Sequence, residues 1–536
     1  MASGESDRAR RLGVEFDEER IDAIFHDIDQ CHLPGATVGI AVGGRPVYRK
    51  GFGLASMEAP LALTPSTRMR IYSITKHFTC LSYLLLCEDR LAGIDDLVGV
   101  HFPEFHPVNQ QVTMRQLMGN ISGLRDAHVL NFQFCGTDCA ASSSETMALY
   151  RTLDDLNTQP GTTWMYNNAG FVLLSLAIER ISGQSLGSFM QRRIFEPVGM
   201  HDTLLRRGDT DFVPRSAMMH MTTADGAFVK SYVGGDRSGT GGIVSTADDM
   251  LRWLAHMSAP EVGSAETWKL MRTPQMLASG SSSGYGCGLS IDSFRGVEMI
   301  HHPGVGMGAN AQMLRVPSAG LDIMIMVNRE DVSSWERSLR VLDACLPGLE
   351  KPRRPSTLPC VNGVFRSEST GLVIRLHAQG GMQLGAVGNY ADTPYAEDDA
   401  GQLTPTESAF HCRKDAITLV GNREAPDAIR YSHYGNSDEL VRVPSAHDPD
   451  ISAIAGEYRC ASTGFDVSIS ERGMRTKGRF GAVQYTLDCL ARDIWRAKAT
   501  SSLAPFLTGI LAFDKSGFRF WSFGTWGLPF SRVAHR

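Results

Sequence analysis

The sequence lacks the features that mark membrane-spanning, nucleic-acid-binding and metal-dependent proteins. No uninterrupted apolar run approaches the ~20 residues that a membrane-spanning helix needs. The formal net charge of -6 gives no electrostatic basis for binding nucleic acid or an anionic membrane. His-Glu-x-x-His and EF-hand patterns are absent. We therefore expect no metal, no cofactor, no nucleic acid and no membrane as partners.

A secretory signal and a disulfide framework are also missing. The first residues are polar and acidic, without the basic and apolar segments of a signal peptide. The 11 cysteines are scattered, and several lie in apolar runs, which is typical of buried free thiols. Cys135 and Cys139 form the one close pair, and no second pair accompanies them, so we expect no metal site there. These features predict a cytoplasmic protein.

Apolar periodicity and turn residues predict an α+β fold in the first two thirds of the chain. A helix is predicted over 16–30, and a β-hairpin over 36–49 turns at two glycines. A buried helix is predicted over 171–181, and a second hairpin over 312–327 is apolar enough for the middle of a sheet. Together the hairpins predict one antiparallel sheet, flanked by helices, whose strands come from distant parts of the sequence.

The last third of the chain contains an internal repeat. The stretch VNGVFRSESTG at 361–371 matches IAGEYRCASTG at 454–464, and each copy continues with short alternating strands and glycine turns. We therefore predict two small antiparallel β-barrels. The predicted divisions are an amino-terminal domain over 1–345, a Pro-rich linker over 346–360, a first barrel over 361–443, a linker over 444–450 and a second barrel over 451–536.

Ser73-Ile74-Thr75-Lys76 is the most informative short pattern. If Ser73 opens a helix, Lys76 lies one turn further on and on the same face. A hydroxyl nucleophile needs an adjacent base, and a buried lysine amine can be one because burial disfavours its charged form. The apolar run over 77–87 predicts a core helix that holds this pair away from water. The alternative is a capping serine followed by a surface lysine.

A Tyr-x-Asn triplet, Tyr166 to Asn168, follows further along the chain. Residues two apart in an extended turn point the same way, so the phenol and the amide can face one site. Tyr166 would exchange protons with Lys76 and Ser73, and Asn168 would donate to a substrate carbonyl. A similar triplet at 434–436 is interpreted as a turn at a strand end.

His302-Pro303-Gly304 comes last, in a glycine-rich stretch where a substrate can approach the backbone closely. By itself it also fits an ordinary turn. Two other serines, Ser185 and Ser282, lie in Gly-x-Ser-x-Gly patterns. Neither sits between a predicted strand and a helix, as a nucleophile elbow requires, so we reject both.

In this order, the three elements resemble the motifs of the penicillin-recognising serine hydrolases, which include class C β-lactamases, D,D-peptidases, esterases and aminopeptidases. The stretch 117–124 also resembles a family segment, with Asn120 where histidine is usual, and so does 241–250. The resemblance implies a β-lactamase/transpeptidase-like catalytic domain and a serine acyl-enzyme. The implied site residues are catalytic Ser73, Lys76, Tyr166 and His302 and substrate-binding Asn168, Gly304 and Val305, with the amides of Ser73 and Val305 around the oxyanion.

Histidine at position 302 separates the branches of this family. β-Lactamases and carboxypeptidases carry Lys-Thr-Gly on this strand, and its fixed cation helps to bind a substrate carboxylate. A mostly neutral histidine offers little to an anion. His-x-Gly with two repeated barrels resembles the bacterial D-aminopeptidases, which implies a homodimer acting on small D-amino-acid peptides, amides or esters, with β-lactams as inhibitors. A D-amino-acid amidase or esterase, a D,D-peptidase and a non-catalytic penicillin-binding protein are the alternatives.

The D-aminopeptidases also carry a loop of the last barrel into the catalytic cleft, where an acidic residue helps to bind the substrate ammonium group. The matching stretch, 498–509, is expected to reach the active site here. It contains no carboxylate, and the nearest upstream acid is Asp493. The sequence therefore leaves open whether the substrate needs a free amine.

Overall fold

The computed structural model describes residues 13–136, 142–223, 225–232, 238–350, 360–388, 392–406, 415–445, 450–500 and 507–534. The chain divides into two compact units. The first comprises Met1–Asp96, Phe171–Gln275 and Gly284–Lys351. The second comprises Leu97–Gly170, Met276–Ser283 and Pro352–Arg536.

The helices and strands are bounded as follows. The helices are α1 (Glu18–Phe25), α2 (Thr75–Glu88), α3 (Val98–His101), α4 (Pro107–Gln110), α5 (Met114–Met118), α6 (Ala127–Cys135), α7 (Ser143–Tyr150), α8 (Asn168–Ser182), α9 (Leu186–Met190), α10 (Glu196–Val198), α11 (Ser238–Gly241), α12 (Ala247–Ser258), α13 (Ala265–Arg272) and α14 (Ser334–Cys345). The strands of the first unit are β1 (Ala36–Val42), β2 (Arg45–Phe52), β3 (Leu54–Ser56), β4 (Leu61–Ala62), β5 (Met69–Arg70), β6 (Leu204–Leu205), β7 (His220–Thr222), β8 (Phe228–Lys230), β9 (Ile243–Ser245), β10 (Ser290–Phe294), β11 (Val297–Gly306), β12 (Ala309–Val316) and β13 (Leu321–Val327). The strands of the second unit are β14 (Gly363–Ser367), β15 (Val373–Gln379), β16 (Met382–Val387), β17 (Thr393–Glu397), β18 (Leu403–Pro405), β19 (Asp415–Val420), β20 (Ala428–His433), β21 (Asn436–Val443), β22 (Gly456–Arg459), β23 (Asp466–Ser470), β24 (Gly473–Lys477), β25 (Gln484–Ala491), β26 (Ile494–Ala499), β27 (Thr508–Phe513), β28 (Gly517–Ser522) and β29 (Thr525–Arg532).

A six-stranded antiparallel sheet, in the order β10-β11-β12-β13-β1-β2, forms the centre of the first unit. β1 pairs with β13, so strands from opposite ends of this part of the chain lie side by side. Val38 and Ile40 point into a core shared with α1 and α14, whereas Gly39 faces Leu251 of α12. Because side chains alternate between the faces of a strand, helices cover both faces of the sheet. The predicted antiparallel sheet and its two hairpins are confirmed.

The predicted helix over 16–30 is shorter in the structure. Asp17 caps α1 by accepting from the backbone N–H of Arg20, which fixes the start of the helix. The chain then tightens into a 3-10 turn at His26–Ile28. The buried helix predicted over 171–181 is confirmed within α8.

The second unit contains two closed, eight-stranded antiparallel barrels, β14–β21 and β22–β29, which confirms the predicted pair. In each barrel the first strand pairs with the last, as Phe365 with Arg442 shows in the first. Side chains of both barrels share one apolar core, in which Trp521 packs with residues of the first barrel. α6 lies against the second barrel, where the ring of Phe134 stacks on that of Phe465 with centroids 4.6 Å apart.

Parts of both predicted linkers, 351–359 and 446–449, lie outside the described residues, as does Cys139. In the part of the chain that the structure describes, none of the helices is long and apolar enough to cross a membrane.

Candidate active site

Ser73 and Lys76 lie together at the start of α2. Ser73 belongs to a 3-10 turn, Tyr72–Ile74, that runs directly into this helix, and Lys76 is in its first turn. Lys76 Nζ lies 3.0 Å from Ser73 Oγ. The Lys76 side chain is 0% exposed, because α2 is buried along nearly its whole length. A hydroxyl and an amine are thus held in contact in a dry setting, which is the arrangement that nucleophile activation needs.

Other groups of the first unit fix the amine of Lys76. The carbonyl oxygen of Thr240 in α11 accepts a hydrogen bond from Nζ at 2.8 Å. The ring of Phe171 lies 5.2 Å from Nζ. α11 is itself held by α2, since Thr79 Oγ1 donates to Gly239 O at 2.9 Å. The sequence patterns had not identified Thr240, although it directly precedes the family-like stretch 241–250.

The residue before the nucleophile adopts an uncommon backbone conformation. Tyr72 has a φ of +45°, in the left-handed region that bulky residues rarely occupy. Its hydroxyl donates to Met307 O at 3.3 Å, which anchors the side chain. Backbone strain of this kind concentrates at functional sites, where the surrounding structure maintains it.

β11 brings the His302-Pro303-Gly304 element to the Ser73 turn. β10 pairs with β11 only as far as His301, and beyond that point the strand runs against Ile71 and Tyr72. A β-carbon on Gly304 would fall inside van der Waals distance of Ile71 O, so only glycine fits there. Val305 follows; it pairs with Asn310, and its side chain is 59% exposed.

His302 is buried and uncharged. Its Nδ1 donates to the carbonyl oxygen of Pro303 at 2.7 Å, so the proton is on Nδ1. Nε2 therefore accepts, and the hydroxyl of Tyr285 donates to it at 2.9 Å. Burial, reinforced by the nearby Lys76, lowers the pKa of His302 well below its usual range. The sequence analysis did not identify Tyr285. A glycine on each side of it is the one local feature that could have drawn attention to it.

The close packing of β11 against the Ser73 turn makes Gly304 a sensitive position. Gly304→Ala is expected to lower the free energy of unfolding by about 1–3 kcal/mol, because the added carbon must push Ile71 away. It should lower activity as well, since Ser73 is two residues after Ile71. Gly208→Ala is the control, because its β-carbon would meet nothing closer than 3.6 Å. Denaturant unfolding of both variants tests this, and equal midpoints would contradict the packing argument.

Tyr166 and Asn168 belong to the second compact unit, in the segment that leads into α8. The segment is held by Asn120, whose carbonyl oxygen accepts from Met165 N at 2.8 Å and whose Oδ1 accepts from Asn167 N at 3.1 Å. Asn120 has a φ of +57°, which asparagine tolerates better than most residues. Asn120 therefore holds this segment through both its backbone and its side chain. Tyr166 is buried, and the ring of Trp164 lies 6.2 Å from its own.

Asp126 anchors the amino terminus of α8, a role that no sequence pattern indicated. Its carboxylate accepts from the backbone N–H groups of Asn168 at 2.7 Å and Ala169 at 3.2 Å. The side-chain amide of Asn168 donates to it at 3.3 Å. A carboxylate at this position satisfies N–H groups that lack partners within the helix and complements the helix dipole. The orientation of Asn168 therefore depends on Asp126.

The loop expected to enter the cleft is only partly described. β26 and β27, which flank it, are neighbouring antiparallel strands of the second barrel, and residues 501–506 lie outside the described residues. Across the described ranges, no three His, Cys, Asp or Glu side chains cluster as a metal site would require.

Comparisons with known proteins show what this chain is similar to. The family described as Beta-lactamase matches residues 21–344. The D-aminopeptidases of Brucella canis and Gluconobacter oxydans are 27% and 26% identical, over 90% of this chain and 90% and 92% of theirs. Among solved structures, the octameric penicillin-binding protein homologue from Pyrococcus abyssi has a TM-score of 0.58 and 21% identity, covering 80% of this chain and 100% of that one. The D-amino acid amidase from Ochrobactrum anthropi has a TM-score of 0.52 and 23% identity, covering 61% and 97%. These two structures show the same fold.

Proposed function

Because the chain belongs to the beta-lactamase family, we propose that it is a serine hydrolase that removes amino-terminal D-residues from peptides, amides and esters. One observation carries the proposal: the buried amine of Lys76 lies 3.0 Å from the hydroxyl oxygen of Ser73. The substrate class rests on the D-aminopeptidases, which match this chain over 90% of its length.

In the proposed reaction, Ser73 Oγ attacks the substrate carbonyl carbon while Lys76 takes the hydroxyl proton. Backbone N–H groups of Ser73 and Val305 bind the oxyanion of the tetrahedral intermediate. Tyr166 gives its phenolic proton to the leaving group and takes in exchange the proton that Lys76 removed from Ser73. The bond to the leaving amine or alcohol then breaks, and water hydrolyses the acyl-enzyme to release the D-amino acid. Asn168 is the proposed donor to the substrate.

The uncharged His302 supports this substrate class over the β-lactams and carboxyl-terminal D-Ala-D-Ala peptides. Those substrates carry a carboxylate, which is bound best by a fixed positive charge. His302 donates from Nδ1 to a backbone carbonyl and accepts at Nε2, so it presents no cation at neutral pH. A substrate that is recognised through its amine does not need a positive charge in the site.

The proposal predicts a strong preference for a free amine over a blocked one. D-Alanine p-nitroanilide should be cleaved at least about 100-fold faster than its N-acetylated form, because the acetyl group removes both the charge and two donors. The measurement is kcat/KM for the two anilides, with L-alanine p-nitroanilide as the stereochemical control. Equal cleavage of the blocked substrate would favour an esterase or D,D-peptidase. Labelling by a fluorescent penicillin with no turnover would favour a penicillin-binding protein.

A further inference from the structure

The two barrels carry equivalent hairpins with a shared sequence pattern. In each barrel the seventh and eighth strands are joined by two residues, an aromatic residue followed by glycine. In the first barrel these are Tyr434 and Gly435, and in the second they are Phe523 and Gly524. Both glycines have left-handed φ values, +78° and +74°. The duplication has therefore preserved one turn in both copies.

The hairpin of the second barrel is hydrogen-bonded to Asp126, which orients Asn168, and to Asn157. Gly524 O accepts from Asp126 N at 2.8 Å and from Asn157 Nδ2 at 2.9 Å. On the same hairpin, Trp526 N donates to Asn157 Oδ1 at 2.9 Å. Asp126 is the residue whose carboxylate orients Asn168. The contact is close, since a β-carbon on Gly524 would lie 2.6 Å from that of Asp126.

The hairpin of the first barrel contacts residues 162–164, in the segment that leads into α8. Asn436 Nδ2 donates to Thr162 O at 2.9 Å and to Thr163 Oγ1 at 3.2 Å. The ring centroid of Tyr434 lies 5.9 Å from that of Trp164. The triplet at 434–436 is thus a turn at a strand end, as interpreted from the sequence. It also contacts the segment that leads into α8.

The two hairpins place four aromatic rings in series. Tyr434 contacts Trp164, Trp164 contacts Tyr166 at 6.2 Å, and Tyr166 contacts Phe523 at 6.0 Å. Rings at these separations attract each other beyond simple burial of area. The two middle rings belong to the segment that leads into α8, and each outer ring belongs to one barrel. A shift of either hairpin would therefore move the Tyr166 ring.

We propose that both barrels position Tyr166 through these hairpins, with Tyr434 and Phe523 as the positioning residues. The inference rests on the proposed function only in giving Tyr166 the proton-transfer role. Proton transfer depends steeply on placement, and an error of about 1 Å can cost about 100-fold in rate. Through these hairpins the barrels would affect turnover by placing the phenol of Tyr166.

Replacement of the outer rings tests this in the full-length protein. Phe523→Ala and Tyr434→Ala should each lower kcat by about tenfold or more while KM changes less than about threefold. Phe523→Tyr and Tyr434→Phe, which keep the rings, should restore kcat. Wild-type kcat in both alanine variants would overturn the proposal, as would failure of both conservative variants to restore it.

A glycine pair separates positioning from general destabilisation of the barrel. Gly524→Ala should lower kcat, because its β-carbon must displace Asp126. Gly464→Ala is the control. Gly464 lies in the same barrel and has a φ of +71°, and no atom lies within 4 Å of the added carbon. This variant carries the same backbone strain without the clash, so it should lower the melting temperature through strain alone and keep wild-type kcat. Equal kcat values for these two variants would also overturn the proposal.

Rates are measured on both D-alanine p-nitroanilide and ethyl acetate, an ester whose alkoxide leaving group needs a proton, so that the two proposals fail separately. A wild-type protein that hydrolyses only the acetate contradicts the D-aminopeptidase assignment, and the acetate then still reports kcat for every hairpin variant. Turnover of the anilide with no effect of the hairpin variants contradicts the positioning role alone.

Discussion

Replacing Ser73 with alanine is expected to lower the turnover of D-alanine p-nitroanilide by about 10⁴-fold or more, while the protein stays folded. The change removes the one atom that would become bonded to the substrate. It takes away little packing, because only a hydroxyl group is lost from the 3-10 turn before α2. Single-turnover rates at high enzyme concentration measure the loss, and thermal unfolding checks the fold.

Ser185→Ala is the matched control for this variant. Ser185 lies in a Gly-x-Ser-x-Gly pattern, but in the structure it caps α9 by accepting from Ser188 N at 3.2 Å. Its loss should cost about 1 kcal/mol of stability and leave activity unchanged. Retention of a tenth or more of wild-type turnover by Ser73→Ala would show that another group is the nucleophile.

Replacing Lys76 with methionine should have the second largest effect, a loss of about 10³-fold in kcat. Methionine keeps an unbranched apolar chain beside Phe171 but removes the amine that lies 3.0 Å from Ser73 Oγ. Lys76→Arg should be as inactive, because a guanidinium group stays protonated and cannot take the serine proton.

The control for Lys76→Met is Lys50→Met, which removes a surface lysine whose Nζ lies 2.7 Å from Asp22. Surface ion pairs contribute little to stability, so this variant should resemble the wild type. Comparable kcat values for Lys76→Met and the wild type would exclude the lysine as base, whatever happens at Ser73.

The parts of the fold that depend on local pattern were predictable. The hairpin of β1 and β2 has a glycine pair at its turn, with φ values of +59° and +75°, which two-residue turns favour. The barrels followed from repeated alternating strands. The contact between Ser73 and Lys76 follows from helix geometry, since residues three apart lie on one face.

Contacts between distant segments were not predictable. Tyr285 meets His302 because β10 and β11 form a hairpin that returns the chain to it. The link between Asp126 and Gly524 joins positions far apart in sequence, and no spacing rule connects them. The turn at Tyr434 was predicted from the sequence, but its contact with Trp164 depends on tertiary packing alone. Such contacts decide how Tyr166 and His302 are oriented, so the positioning residues needed the structure.

Trapping the acyl-enzyme tests the central claim most directly. Wild-type protein is acid-quenched during turnover of D-alanine methyl ester, and its intact mass and peptide map are measured. The expected result is one D-alanyl group per chain, on the peptide that contains Ser73, and no adduct in Ser73→Ala. An adduct on any other side chain of the wild type, or the same level of adduct in Ser73→Ala, would contradict the assignment.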